Sequence, residues 1–163
     1  MSLGLRQIIP PLTARTAWGQ TVRAWQFKQK KNLVIAFLHA GCRRCEGFVE
    51  KLVAHAAELA ESEAVALVVF PEPPAIGSLP AQIIVAADMS GRSQRAYLGE
   101  DAFGPAGLER VGVFVADRYG ELYAQWVGRE EGALPGIGEI LSWLSQIELA
   151  CEECGVSHWP TGA

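Results

Sequence analysis

The chain lacks any apolar run long enough to cross a membrane: the longest, Leu33 to Ala40, is far below the roughly 18 residues that a spanning helix needs. It also lacks an excess of positive charge. Lysine and arginine together number 14 against 18 acidic residues, a net of −4, which argues against nucleic acid or an anionic membrane surface as a partner. There is no internal repeat, no Gly/Ser linker and no low-complexity tract. Gly-x-Ser-x-Gly and His-Glu-x-x-His are absent, and the glycines around Leu134-Pro135 lack the Lys-Ser/Thr ending of a phosphate loop. Cysteine is scarce, with four in 163 residues, yet half of the residues are hydrophobic and 9% are aromatic. That composition builds one globular domain around its own core, with no need of a disulfide framework.

The opening MSLGLRQIIPPLTAR does not read as a signal peptide, because its apolar stretches are short and Pro10-Pro11 interrupts them. The expected compartment is the cytoplasm, where thiols stay reduced and paired cysteines are more often catalytic or metal-binding than structural. The four cysteines form two such pairs, Cys42-Arg-Arg-Cys45 and Cys151-Glu-Glu-Cys154. The expected division is a domain over residues 1–150 and a tail over 151–163.

Periodicity sets the element order. Residues 13–27 read as a hairpin turning at Gly19-Gln20, followed by an aromatic turn. Leu33 to His39 is continuously apolar, the pattern of a strand buried on both faces. From Arg43 to Glu61, Cys45, Val49, Leu52, Ala56 and Leu59 recur at spacings of three or four, which predicts one helix. Ala64 to Phe70 and Gln82 to Ala87 read as further strands. Asp88 is placed to cap a short helix at 91–98. Val111 to Ala116 and Glu121 to Trp126 form a hairpin across 117–120, and Glu139 to Ala150 is a last helix with Ile140, Leu141, Leu144, Ile147 and Leu149 on its apolar side. A strand, a helix and a second strand imply a parallel crossover, and the late hairpin adds antiparallel strands. The fold class is α/β, a mixed central sheet with helices on both faces.

This order puts Cys42 in the turn after a central strand, at the start of a helix. Free backbone N–H groups and the positive end of the helix dipole favour a thiolate there, and Arg43 and Arg44 add positive charge. A lowered thiol pKa and a nucleophilic role are expected of Cys42. Cys45 lies one turn deeper on the same face and suits the resolving role, attacking a mixed disulfide formed at Cys42. Two zinc ligands, or two inert buried residues, are the other readings of this pair. His39, three residues before Cys42, is either a proton shuttle or a strand-end histidine bonded to backbone.

Cys151-Glu-Glu-Cys154-Gly155 has three readings: a second dithiol, half of a zinc site, or a passive tail. Two thiolates do not close a tetrahedral site, so zinc there would need His158 with another group, Cys42 and Cys45, or a second subunit. Glu152 and Glu153 would make these thiols less reactive than Cys42 by like-charge repulsion. If the tail folds back, the pair could reduce a Cys42–Cys45 disulfide by exchange.

The run from Thr21 to Trp126 resembles the redoxin branch of the thioredoxin superfamily, which includes the alkyl hydroperoxide reductase/thiol-specific antioxidant proteins. The matching pieces are LVIAFLHAGCRRC, QIIVAADMSGRSQRAYLGE and GVFVADRYGELY. The resemblance implies a thioredoxin fold and thiol redox activity, with Cys42 at the reactive cysteine. The chain departs from thioredoxins in the residues around and between its cysteines, and in having Val111 where they place a cis-proline. It departs from typical peroxiredoxins in having Ile35 and His39 where their Pro and Thr stand, so the hydroxyl that orients a peroxide is missing. It is most similar to a peroxiredoxin-like subgroup that carries CxxC without that Thr. Arg110 lies next to the position of the peroxiredoxin arginine and is a candidate support for the Cys42 thiolate. The tail resembles the Cys-x-x-Cys-Gly…Trp-Pro endings of some bacterial redoxin-like proteins.

The expected function is a thiol-disulfide oxidoreductase or peroxiredoxin-like antioxidant that cycles Cys42 and Cys45 between dithiol and disulfide. No cofactor is required. The substrates are protein disulfides or small oxidants such as hydroperoxides, an electron donor is implied, and a homodimer is compatible with the sequence. The alternative is a zinc-stabilised, non-catalytic interaction module using Cys151 and Cys154.

Overall fold

The structure is a computed structural model that describes residues 3–39, 41–129 and 131–149. The expectations for Cys151, Cys154 and His158 fall outside these residues. Nine strands and four α-helices occur among them. β1 (Thr13–Thr16) and β2 (Thr21–Arg23) pair as the expected hairpin, and a 3-10 turn at Ala24–Phe27 follows. β3 (Asn32–Phe37), α1 (Arg43–Ala54), α2 (Ala56–Glu61) and β4 (Ala64–Phe70) make the crossover unit. β5 (Ile83–Ala87) and α3 (Arg92–Leu98) come next, then a two-strand ribbon of β6 (Phe103–Gly104) and β7 (Gly107–Leu108). β8 (Val111–Ala116), β9 (Leu122–Gly128) and α4 (Ile137–Leu149) complete the order.

Seven strands form one sheet in the order β2-β1-β5-β4-β3-β8-β9. β3 runs parallel to β4 and antiparallel to β8, so the sheet is mixed as the sequence requires. Every residue of β3 and β4 is buried. Side chains alternate between the two faces with the strand period of two. Val34 and Ala36 meet Cys45, Phe48, Leu52, Ile140 and Leu144 on one face. Leu33, Ile35 and Phe37 meet Ile9, Leu12, Tyr97 and Leu98 on the other. Helices α1, α2 and α4 thus cover one side, and α3 with the N-terminal arm covers the other. On the α3 side, Phe37, Tyr97 and Phe114 form a triangle of ring centroids 5.0, 5.1 and 6.0 Å apart. Such ring contacts add about 0.5–1.5 kcal/mol each beyond the area they bury. Burial pushes the Tyr97 phenol above its ordinary range, and its hydroxyl donates to the Pro10 carbonyl at 2.7 Å.

Three sequence expectations need correcting. The single helix over 43–61 is two helices that break at His55, whose φ of −110° and ψ of 22° leave the helical region. The His55 ring also takes a share of the Lys51 carbonyl, with Nδ1 at 2.8 Å. Leu149 is not on the apolar side of α4: it is 84% exposed, while Ile140, Leu144 and Ile147 are buried. Glu121, whose place beside the 117–120 turn in the sequence reads as a turn cap, is instead a buried partner of Arg6 at 2.7 Å. The β6–β7 ribbon is too short to carry a periodic signal and was not expected.

Asp88 caps α3 as its position suggested. Its carboxylate accepts from the Ser93 backbone N–H at 2.8 Å and from the Ser90 hydroxyl at 2.6 Å. Burial alone would lift its pKa, but the hydrogen bonds from Ser90 and Ser93 outweigh that and hold it below the usual carboxylate value. Asp117 does the same for the β8–β9 turn by accepting from the Tyr119 and Glu121 N–H groups, although burial holds its carboxyl above the usual value. At the far end of β3, buried Asn32 donates to the Ser62 carbonyl and to Glu148 and accepts from the Arg118 N–H at 3.0 Å. Glu148 also pairs with Arg118 at 2.7 Å, which ties α4 to the start of the central strand. Among the described residues no helix is long and apolar enough to cross a membrane.

Two outcomes follow for stability. Asp88→Ala lowers unfolding free energy by about 1 kcal/mol near neutral pH. A carboxylate with a depressed folded-state pKa stabilises above its unfolded pKa and loses that contribution as pH falls through the folded value. The gap between wild type and Asp88→Ala in urea unfolding should therefore close at acidic pH. Asn32→Leu removes three hydrogen bonds from a buried amide to the half-buried Ser62 carbonyl and Arg118 N–H and to exposed Glu148, and costs about 1–2 kcal/mol, read as a lower denaturant midpoint.

Candidate thiol site at the end of the central strand

β3 ends at Phe37, and the Leu38 N–H bonds to the Val69 carbonyl at 3.0 Å, which extends the pairing with β4 one residue further. Because β3 and β4 are parallel, the chain has to leave the sheet here and return through helices. Gly41, at a φ of +74°, makes the reversal in the left-handed region that glycine enters without a Cβ penalty. Cys42 then stands at the N-cap of α1 in an extended conformation, with φ −100° and ψ 118°. Its sulfur accepts the backbone N–H of Cys45 at 3.2 Å, one of the helix-start donors that has no partner within the helix.

Both cysteines are in the reduced, thiol form. Cys42 is 6% exposed and Cys45 is fully enclosed, and both belong to the core cluster beneath α1. His39 is half-buried at the strand end. A ring nitrogen of His39 and the two sulfurs all lie within 4.8 Å of one another. The structure therefore brings together three of the six residues singled out around the first pair. Arg43 and Arg44 are exposed on the first turn of α1, with the Arg44 guanidinium reaching toward Gly132. Arg110 is committed elsewhere: it donates to the Leu98 carbonyl at 2.9 Å and pairs with Asp101 at 2.8 Å.

Sequence reading missed a groove of about 680 Å³ that opens at His39 and Gly41. One wall is the outer face of α1, with Val49 and Val53 below Glu46 and Glu50. The other is Phe70 and the segment after it, with Pro74, Ile76 and Leu79. The proline-rich stretch 71–80 reads from sequence as a loop, and only its return against α1 makes it a wall. A second cavity of about 320 Å³ lies between this loop, β5 and the β1–β2 turn, with neither cysteine nor His39 in its lining.

No family model and no curated protein sequence matches the chain. Solved structures do resemble it. A mitochondrial 2-Cys peroxiredoxin from Plasmodium falciparum superposes with a TM-score of 0.66 at 12% identity, covering 88% of this chain and 94% of its own. A reduced 2-Cys peroxiredoxin from Plasmodium vivax gives 0.70 at 15%, covering 89% and 96%. A putative thiol:disulfide interchange protein DsbE from Chlorobium tepidum gives 0.63 at 18%, covering 91% and 100%. Likeness at such identities establishes the fold. The chain has the thioredoxin-like α/β fold expected from its sequence, in a form shared by peroxiredoxins and a DsbE protein.

The unequal burial of the two sulfurs sets an order of labelling. In the reduced full chain, with Cys151 and Cys154 replaced by serine, iodoacetamide modifies Cys42 first. Cys45 follows only under denaturing conditions. Peptide mass spectrometry over a time course reads this directly, and equal rates would contradict the arrangement.

Proposed function

We propose that the chain is a thiol-disulfide oxidoreductase whose working parts are Cys42 and Cys45. The observation that carries this is the Cys42 sulfur at the N-cap of α1, receiving the Cys45 N–H with the Cys45 thiol close behind it. In the forward step the Cys42 thiolate attacks one sulfur of a substrate disulfide. The substrate S–S bond breaks, a mixed disulfide forms on Cys42, and one substrate thiolate leaves. Cys45, having given up its proton, then attacks the Cys42 sulfur and expels the second substrate thiolate. The enzyme is left with a Cys42–Cys45 disulfide, and the substrate has gained two electrons. An external dithiol donor restores the reduced pair. No cofactor enters this cycle, and a reducing compartment such as the cytoplasm would keep the pair ready.

Hydroperoxides are the second substrate class. The likeness to peroxiredoxins supports this reading. Here Cys42 takes the distal peroxide oxygen to become a sulfenic acid and releases an alcohol, and Cys45 condenses with it to give the same disulfide and water. The position where a peroxide-orienting threonine would stand holds His39, which ranks disulfides first. The zinc-module alternative gains no support, since Cys151 and Cys154 lie outside the described residues.

Insulin-disulfide turnover with dithiothreitol as donor tests the proposal. Cys42→Ser should lower turnover by at least about 1,000-fold, the scale of removing a nucleophile. Cys45→Ser should instead trap a mixed disulfide at Cys42. Undiminished turnover in Cys42→Ser would end this assignment. Hydroperoxide consumption in the same variants ranks the two substrate classes.

A further inference from the structure

The thiol mechanism uses two side chains, yet the structure gathers three. His39 is brought to the sulfurs by the end of β3 and the Gly41 reversal, and its ring nitrogen and the two Sγ atoms lie within 4.8 Å of one another. We propose that reduced Cys42 and Cys45, together with His39, form a three-ligand site for zinc, and that oxidation of the pair releases the metal.

Two thiolates and an imidazole are the donor set that favours zinc and related soft cations over magnesium or calcium. Two thiolates also balance the two charges of the ion, so the ligated site is neutral although it is buried. Three protein ligands leave one tetrahedral position unfilled, which is the pattern of a reactive zinc site and not of a closed structural one. The groove is lined by His39 and Gly41, so one of the three ligand residues borders open space. Binding converts two thiols and one Zn²⁺ into a zinc dithiolate and two released protons.

Redox control follows from the ligand count. A disulfide oxidant takes two electrons from the zinc dithiolate, the Cys42–Cys45 bond forms, and Zn²⁺ departs with two thiolates of the former oxidant as the other products. After that, His39 alone is left to hold the ion. In the other direction, bound zinc occupies the sulfur that would attack a substrate, so the metal holds the reduced pair inactive. This regulatory half rests on the reading of Cys42 and Cys45 as a dithiol–disulfide couple. The ligand set itself does not.

The test uses the full chain with Cys151→Ser and Cys154→Ser, so that only the first pair can bind. Co²⁺ added to the reduced protein should bind at one ion per chain and give a thiolate-to-cobalt charge-transfer band, and Zn²⁺ should displace it. The oxidised protein should give no band. His39→Ala should weaken binding by about tenfold or more, the scale at which even supporting residues of metal sites act. His39→Cys, which supplies another soft ligand, should keep it and guards against a variant that merely misfolds. Zn²⁺ should stop insulin-disulfide turnover and a chelator should restore it. Absence of the band in reduced protein, an equal band in oxidised protein, or unchanged affinity in His39→Ala would each overturn the metal site. Turnover measured in chelator judges the enzyme separately: metal uptake without turnover would overturn the gating and the proposed catalysis but leave the three ligands standing.

Discussion

β3 has water on neither face and on neither edge. It is hydrogen-bonded to β4 on one side and to β8 on the other, and helices or the N-terminal arm cover both faces. A strand confined in this way cannot slip by one residue without carrying Val34 and Ala36 to the wrong face. Its register therefore fixes where the strand ends, and the Leu38 N–H bond to the Val69 carbonyl carries the pairing one residue further. His39, Gly41 and Cys42 stand within five residues of Phe37, and α1 starts immediately after them. The chemistry proposed for the thiols depends on where this strand ends as well as on the contacts at the start of α1.

Most of the architecture was legible because it rests on burial patterns that a sequence displays openly. The unbroken apolar runs of β3 and β4 announce a doubly covered sheet, and the spacing from Cys45 to Leu52 announces the helix between them. What was not legible depends on competition at single residues. Nothing in the period of three and four shows that His55 will leave the helical region and split α1 from α2. Leu149 continues the apolar period of α4, but the packing of that helix ends before it. Glu121 is set as a buried acid because Arg6, more than a hundred residues earlier, comes to meet it.

The site divides in the same way. The place of Cys42 and Cys45 at a strand-to-helix turn follows from local sequence, since both lie within one turn of the same helix start. Arg110 was a candidate on alignment of motifs, but its guanidinium is held by Leu98 and Asp101, which no local pattern reveals. The groove combines α1 with a proline-rich loop some 20 to 30 residues downstream, and it is a product of tertiary return. The role of His39 changed most. As one residue in a sequence it has several ordinary explanations, whereas beside two sulfurs it belongs to a donor set.

The depth of the two sulfurs has a consequence for whatever they meet. With Cys42 at 6% exposure and Cys45 at none, a partner atom cannot be met by laying two broad surfaces together. For the cycle proposed above, it has to be delivered on something slender, an extended chain or a small molecule. Under that proposal, disulfides lying flush in folded surfaces are poorer substrates than protruding ones. Depth alone would then act as a sieve, selecting by the shape of the carrier before any chemistry begins.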